Sequence, residues 1–183
     1  MDRSIIFSNI LLFLFAYMLL IVGSSWSINM SALGSPVPVT LQSLIVLVIG
    51  VLAGPNIATL ATLSYLLTGI MGLEVFAQGG SGFSVITGAS GGYLLGFVPA
   101  VYWAGMWTNP KEKCSNKDLL LALFVGTLII LGVGFIHLAK ILGPMQAWQK
   151  GISPFLPGAF IKGGIAYFIL SPYIRWRIAQ ARG

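Results

Sequence analysis

Lys162 is the residue of this chain that most demands a chemical explanation. It lies a few residues inside the apolar stretch 154–167, PFLPGAFIKGGIAY, which reads as the start of a membrane-spanning helix. Helical spacing puts Gly158, Ala159 and Ala166 on the same face, at i−4, i−3 and i+4, so the ammonium is surrounded by side chains too small to fill the space around it. An unpaired cation in hydrocarbon costs on the order of several kcal/mol, so an intramembrane lysine predicts a partner, here an anionic or carbonyl-bearing ligand. The alternative is that its long stem carries the amine up to the interface.

Other residues could join such a pocket, which needs apolar walls and a few directed polar groups. They are Thr40, Gln42, Glu74, Phe76, Ser90, Tyr93 and His137. Each also has a plainer role. Thr40 and Gln42 could cap the second helix, Tyr93 could be an interfacial aromatic, Phe76 could be loop packing, and His137 could be a satisfied core histidine. Glu74 and Phe76 belong to the glycine-rich stretch GLEVFAQGGSGFSVIT (72–87), where backbone could approach a ligand closely.

Several chemistries are unsupported. The run 158–162 lacks the spacing of a phosphate-cradling Gly-x-x-x-x-Gly-Lys-[Ser/Thr] loop, and Gly163 follows the lysine. Four acidic residues and one histidine leave little for acid–base or metal catalysis, so neither an enzyme nor a metal site is expected. The single cysteine, Cys114, can form no internal disulfide. No polar stripe runs the length of a span, which argues against a pore.

These side chains must be positioned by helices in a bilayer. Of the 183 residues, 57% are hydrophobic and 8% charged, against about a quarter charged in soluble domains. The net charge of +6 sits in short connections rather than on a basic face, so nucleic acid is not the expected partner. Apolar runs at 5–23, 40–54, 57–71, 88–107, 119–142 and 155–174 predict an all-α integral membrane protein of about six spans in a single transmembrane domain.

The small residues at 23–25 also permit a cleaved signal peptide, but a retained first span is expected because the rest of the chain is equally apolar. The second and third runs are short and flank Gly54-Pro55-Asn56, a turn signal, so they form either two spans or one re-entrant hairpin. Gly88, Gly92 and Gly96 recur every four residues, a pattern that allows close helix packing.

With the N-terminus inside, the inner side would carry Arg3, Lys111, Lys113, Lys117, Arg175, Arg177 and Arg182, and the outer connections only Lys140 and Lys150. The positive-inside rule therefore predicts both termini in the cytoplasm. It also gathers the segments 26–39, 72–87 and 143–153 and the Lys162 end of the last helix on the outer side. The remaining acids, Asp2, Glu112 and Asp118, fall at the terminus and in the charged inner loop 108–118.

Four segments together resemble the BioY family, the biotin-binding S components of energy-coupling-factor (ECF) transporters. PVPVTLQSL (36–44), GLEVFAQGGSG (72–82), GASGGYLLGF (88–97) and PFLPGAFIKGGIAY are each similar to family stretches, in the family's order. The resemblance implies an S-component bundle in the cell membrane that captures biotin from outside as a transported ligand, with no cofactor. It further implies a site lidded by the first and third connections and contacted by Gln42, Phe76, Tyr93 and Lys162. The implied partners are a coupling subunit and two ATPases.

The departures matter as well. Ala159 stands where the family carries an acid, Glu74 where proline is common, and His137 where Trp is common. Lys162 is thus expected to pair with the ligand or with Glu74. The family's small-residue stripe on the first helix survives as Ser4, Ser8 and Ala16, interrupted by Leu12, which leaves a solitary carrier as an alternative to coupling. The same residues are also compatible with an S component for another vitamin or with a non-transporting membrane accessory protein.

Overall fold

The structure is a computed structural model that describes residues 3–31, 34–108 and 114–180. Asp2, Lys111, Glu112, Lys113 and Arg182, used in the charge argument, lie outside the described residues. Helix α1 spans Arg3–Ser25. A two-residue antiparallel ladder follows, β1 (Ser27–Ile28) against β2 (Val39–Thr40), with Ser27 opposite Thr40. Thr40 therefore belongs to this ladder, and helix α2 begins at Gln42 and is continuous to Ile70 except at Gly54.

At Gly54 the backbone takes φ 76° and ψ 171°, a conformation that a side chain would resist. The chain reverses there. Gln42 and Tyr65, 23 residues apart, are hydrogen-bonded side chain to side chain, whereas a straight helix would hold them about 34 Å apart. α2 is thus a hairpin of two antiparallel arms, 42–53 and 55–70, turning where Gly54-Pro55-Asn56 predicts a turn.

The next connection is more ordered than a plain loop. It contains a 3-10 turn, Ala77–Gly79, and a short helix α3, Phe83–Thr87. Helix α4 spans Gly91–Trp107 and so starts three residues later than Gly88, because the Gly88 amide closes α3 on the Ser84 carbonyl. Helix α5, Asn116–Leu142, starts earlier than 119, because Ser115 and Asp118 form a reciprocal capping box that satisfies two otherwise orphaned donors. Asp118 is therefore a helix residue rather than a loop charge.

After Gly143 (φ 86°), the expected link 143–153 is helical throughout: α6 at Pro144–Ala147, a π turn at Trp148–Ile152 and a 3-10 turn at Ser153–Phe155. The last helix, α7, runs Leu156–Gln180 and takes Arg175 and Arg177 into its final turns instead of leaving them in a tail.

Counting the two arms of α2 separately, the described residues form six long apolar rods. The contacts between them set their directions. Tyr17 of α1 meets Thr68 of α2 at 2.9 Å, the Leu41 amide bonds the Trp26 carbonyl, and Arg177 donates to the Thr108 carbonyl at 3.2 Å. The beginning of α1 and the end of α7 consequently share one end of the bundle. The opposite end gathers the β ladder, α3, α6 and the start of α7.

α4 and α5 pack backbone to backbone. A Cβ on Gly92 would meet the Val133 carbonyl and the Gly134 Cα, and one on Gly96 would meet the Ile130 backbone. Two of the three spaced glycines thus serve the packing their spacing predicts, while Gly88 lies outside the helix. α1 and α7 present Phe7, Phe15, Phe160 and Phe168 outward, as rods facing hydrocarbon do.

Candidate ligand-binding site

Lys162 sits one and a half turns into α7, half-buried, and reaches across to the start of α2. Its Nζ donates to the Thr40 carbonyl at 2.6 Å and to Ser43 Oγ at 3.1 Å. Both partners are neutral, so they anchor the ammonium without cancelling its charge. An ammonium has three donors, and these bonds use two of them.

The amine opens on a cavity of about 70 Å³ at the ladder end of the bundle. Lys162, Ala159, Gly163 and Ala166 form one wall, which is the small-residue face expected of α7, with Gly163 in the place predicted for Gly158. Ser43 and Leu47 of α2, Thr127 and Ile130 of α5, and Phe155 supply the rest. Val37, Pro38, Thr40, Tyr93 and Phe97 also line a second, larger chamber of about 270 Å³. That chamber is completed by Gln42, Phe76, Gln78 and Ser90, under the connection between α2 and α4. The two chambers adjoin across the five residues they share and are together the candidate cleft, mostly apolar, with a cation lining one chamber and amide and hydroxyl groups lining the other. No carboxylate lines either half among the described residues.

Tyr93 stands at the junction of the chambers. Its hydroxyl donates to the Gly151 carbonyl at 2.6 Å and its ring stacks on Phe155 at 5.9 Å, so it holds the segment between α5 and α7 in place rather than marking a lipid interface. Phe76 is buried with its ring edge-on to Tyr65 at 5.5 Å. Gln42 is 2% exposed and caps nothing; the residue before α2 is Leu41, which makes no side-chain cap. Thr40 contributes its backbone carbonyl to Lys162, and Ser90 precedes α4 without a capping bond, so its hydroxyl is not committed to the helix end.

Two expected residues stand apart from the cleft. His137 lines neither chamber; its Nε2 bonds the Gly88 carbonyl at 3.0 Å and ties α5 to the turn before α4, the satisfied-histidine role. Glu74 is exposed and also lines neither chamber, and the partners of Lys162 are Thr40 and Ser43 instead. Replacing Glu74 with Gln should accordingly change ligand affinity less than about twofold, because an exposed charge beyond contact distance is screened by salt. A titration of that variant checks this, and a tenfold loss would return Glu74 to the site.

Sequence reasoning missed Ser43, Tyr65, Thr127 and Phe155. Thr127 carries a faint signal as a hydroxyl in an apolar run and Ser43 as a neighbour of Gln42. Tyr65 and Phe155 look like ordinary core aromatics until the helical link puts Phe155 in the cleft wall and the hairpin sets Tyr65 behind Gln42 and Phe76, which line it.

The sequence profile of the BioY family matches residues 1–179. The chain belongs to the BioY family. Among BioY relatives, the biotin transporter BioY of Thermotoga maritima is 39% identical over 151 residues, covering 82% of this chain and 86% of the relative. The probable biotin transporter BioY of Pyrococcus horikoshii is 32% identical over 148 residues, covering 81% and 85%. The BioY fold is supported independently by similarity to a crystal structure of the S component for biotin from an ECF-type ABC transporter. That similarity has a TM-score of 0.81 at 23% identity and covers 97% of this chain and 94% of the other.

Proposed function

We propose that this chain is the substrate-capturing subunit of a biotin uptake system, a transporter component and not an enzyme. The observation that carries the reading is the setting of Lys162. A half-buried ammonium, anchored by two neutral oxygens, faces a cleft that no carboxylate lines among the described residues. A ligand with an anionic end, an apolar middle and a polar head fits that arrangement, and biotin has a carboxylate, an aliphatic chain and a ureido ring. Relatives named biotin transporters over four-fifths of the chain support the same ligand.

In this reading the carboxylate takes the unfilled donor of Lys162, and the ring system lies in the larger chamber beneath 72–82. Arg3, Lys117, Arg175 and Arg177 lie at the end of the bundle away from the cleft, which by the positive-inside rule faces the cytoplasm. The cleft then opens outward from the cell membrane. Membership of the BioY family and the likeness to an ECF-type S component support a membrane-embedded coupling subunit and two ATPases as the partners.

Reconstitution in vesicles tests this. Labelled biotin should bind one-to-one to the chain alone, resist a large excess of riboflavin or thiamin, and accumulate inside only when coupling subunits and ATP are added. Accumulation without them would identify a solitary carrier. Absence of binding by the intact protein would end the proposal.

A further inference from the structure

Tyr65 lies outside both chambers yet joins the cleft wall to the connection above it. Its hydroxyl donates to the Val75 carbonyl at 3.0 Å, and it accepts from Gln42 Nε2. The directions are forced. A carbonyl can only accept, so the single phenolic proton goes to Val75 and Gln42 must offer its NH₂. Ser24 lies beside the same hydroxyl, but its own proton is committed to the Ile21 carbonyl at 2.6 Å. With Nε2 on Tyr65, Gln42, which lines the larger chamber, has Oε1 as its remaining acceptor. Phe76, next to Val75, packs on the Tyr65 ring and lines that same chamber.

We infer that Tyr65 is a positioning residue that sets Gln42 as a hydrogen-bond acceptor toward the ligand and ties that setting to closure of the 72–82 connection. With one Nε2 hydrogen held by Tyr65 the amide is fixed in one orientation, and a ligand donor such as a ureido N–H can meet Oε1, leaving the carboxylate for Lys162. Retention of ligand and closure of the connection are then one equilibrium. This rests on the biotin reading above.

Tyr65→Phe removes only the hydroxyl and keeps the ring against Phe76. In the full-length protein without ligand, amide hydrogen exchange at 72–82 should accelerate about tenfold relative to wild type, as expected from loss of one buried bond. Biotin should also dissociate about tenfold faster with little change in association rate. The preference for biotin over its ureido-N-methylated derivative should shrink, because the amide is no longer held in one orientation. Unchanged exchange at 72–82, or loosened exchange with an unchanged dissociation rate, would overturn the inference. If wild-type protein does not bind biotin, the functional reading fails, and exchange in the ligand-free proteins still decides whether Tyr65 holds the connection.

Discussion

Replacing Lys162 with Met is expected to weaken biotin binding by about 30- to 100-fold, while the protein stays folded and its thermal midpoint holds or rises. The affinity loss corresponds to about 2–3 kcal/mol, the size of a hydrogen bond to a charged group in a partly desolvated site. Stability should not fall, because the ammonium is compensated only by a carbonyl and a hydroxyl, and methionine removes a half-buried charge while keeping nearly the same shape. Biotin methyl ester provides a second probe of the same contact. If Lys162 meets the carboxylate, esterification and the lysine substitution remove one interaction between them, so their combined effect should be much smaller than their sum. Additive losses would place the carboxylate elsewhere.

Alanine at position 159 suits such a pairing. Ala159 lines the smaller chamber next to Lys162, and the described residues supply no carboxylate to that chamber. A carboxylate fixed in the wall would compete with the ligand's own; alanine leaves that role to the ligand. The cleft is thus complementary to an anion in a way that a neutralised lysine could not be.

The second large effect concerns the scaffold. Gly92→Val should cost about 3 kcal/mol or abolish folding, because its side chain would enter the α5 backbone at Val133 and Gly134, which cannot move as a flexible side chain can. For a protein of this size that corresponds to a midpoint drop of roughly 6–12 °C. Gly132→Val is the matched control on α5, since a Cβ there meets nothing within 4 Å. It should melt within about a degree or two of wild type. Tryptophan-fluorescence melts in detergent would distinguish the two, and equal midpoints would rule out the close α4–α5 contact.

This contact links packing to the site. Gly134 receives the face of the Tyr93 ring, and Tyr93 in turn meets Gly151 and Phe155 at the junction of the two chambers. Forcing α4 and α5 apart would therefore shift the partition between the chambers. A ligand assay on any partly folded Gly92 variant should show lost affinity together with lost stability.

Much of this arrangement is legible in the sequence for identifiable reasons. Apolar runs reveal the rods because the bilayer admits little else, and Gly54-Pro55 reveals the hairpin because its turn needs a positive φ. Lys162 stands out because a charge in such a run is costly. What the sequence does not carry is which long-range pairs close. Nothing local in Tyr65 says that it will meet Gln42 across a hairpin, and nothing in Glu74 says that its loop will leave it exposed. His137 illustrates the same limit, since a carbonyl 49 residues away satisfies it. The helical nature of 144–155 is similarly hidden. Its glycine, prolines and short polar stretches read as a link, yet the Tyr93 hydroxyl and ring fasten it into the wall.

The most direct measurement is isothermal titration of the purified, full-length protein with biotin and with biotin methyl ester. One biotin should bind per chain, and the ester should be weakened by about the same factor as the Lys162→Met variant is for biotin itself. Equal affinity for acid and ester, or no heat of binding for biotin at all, would contradict the pairing of Lys162 with the ligand carboxylate.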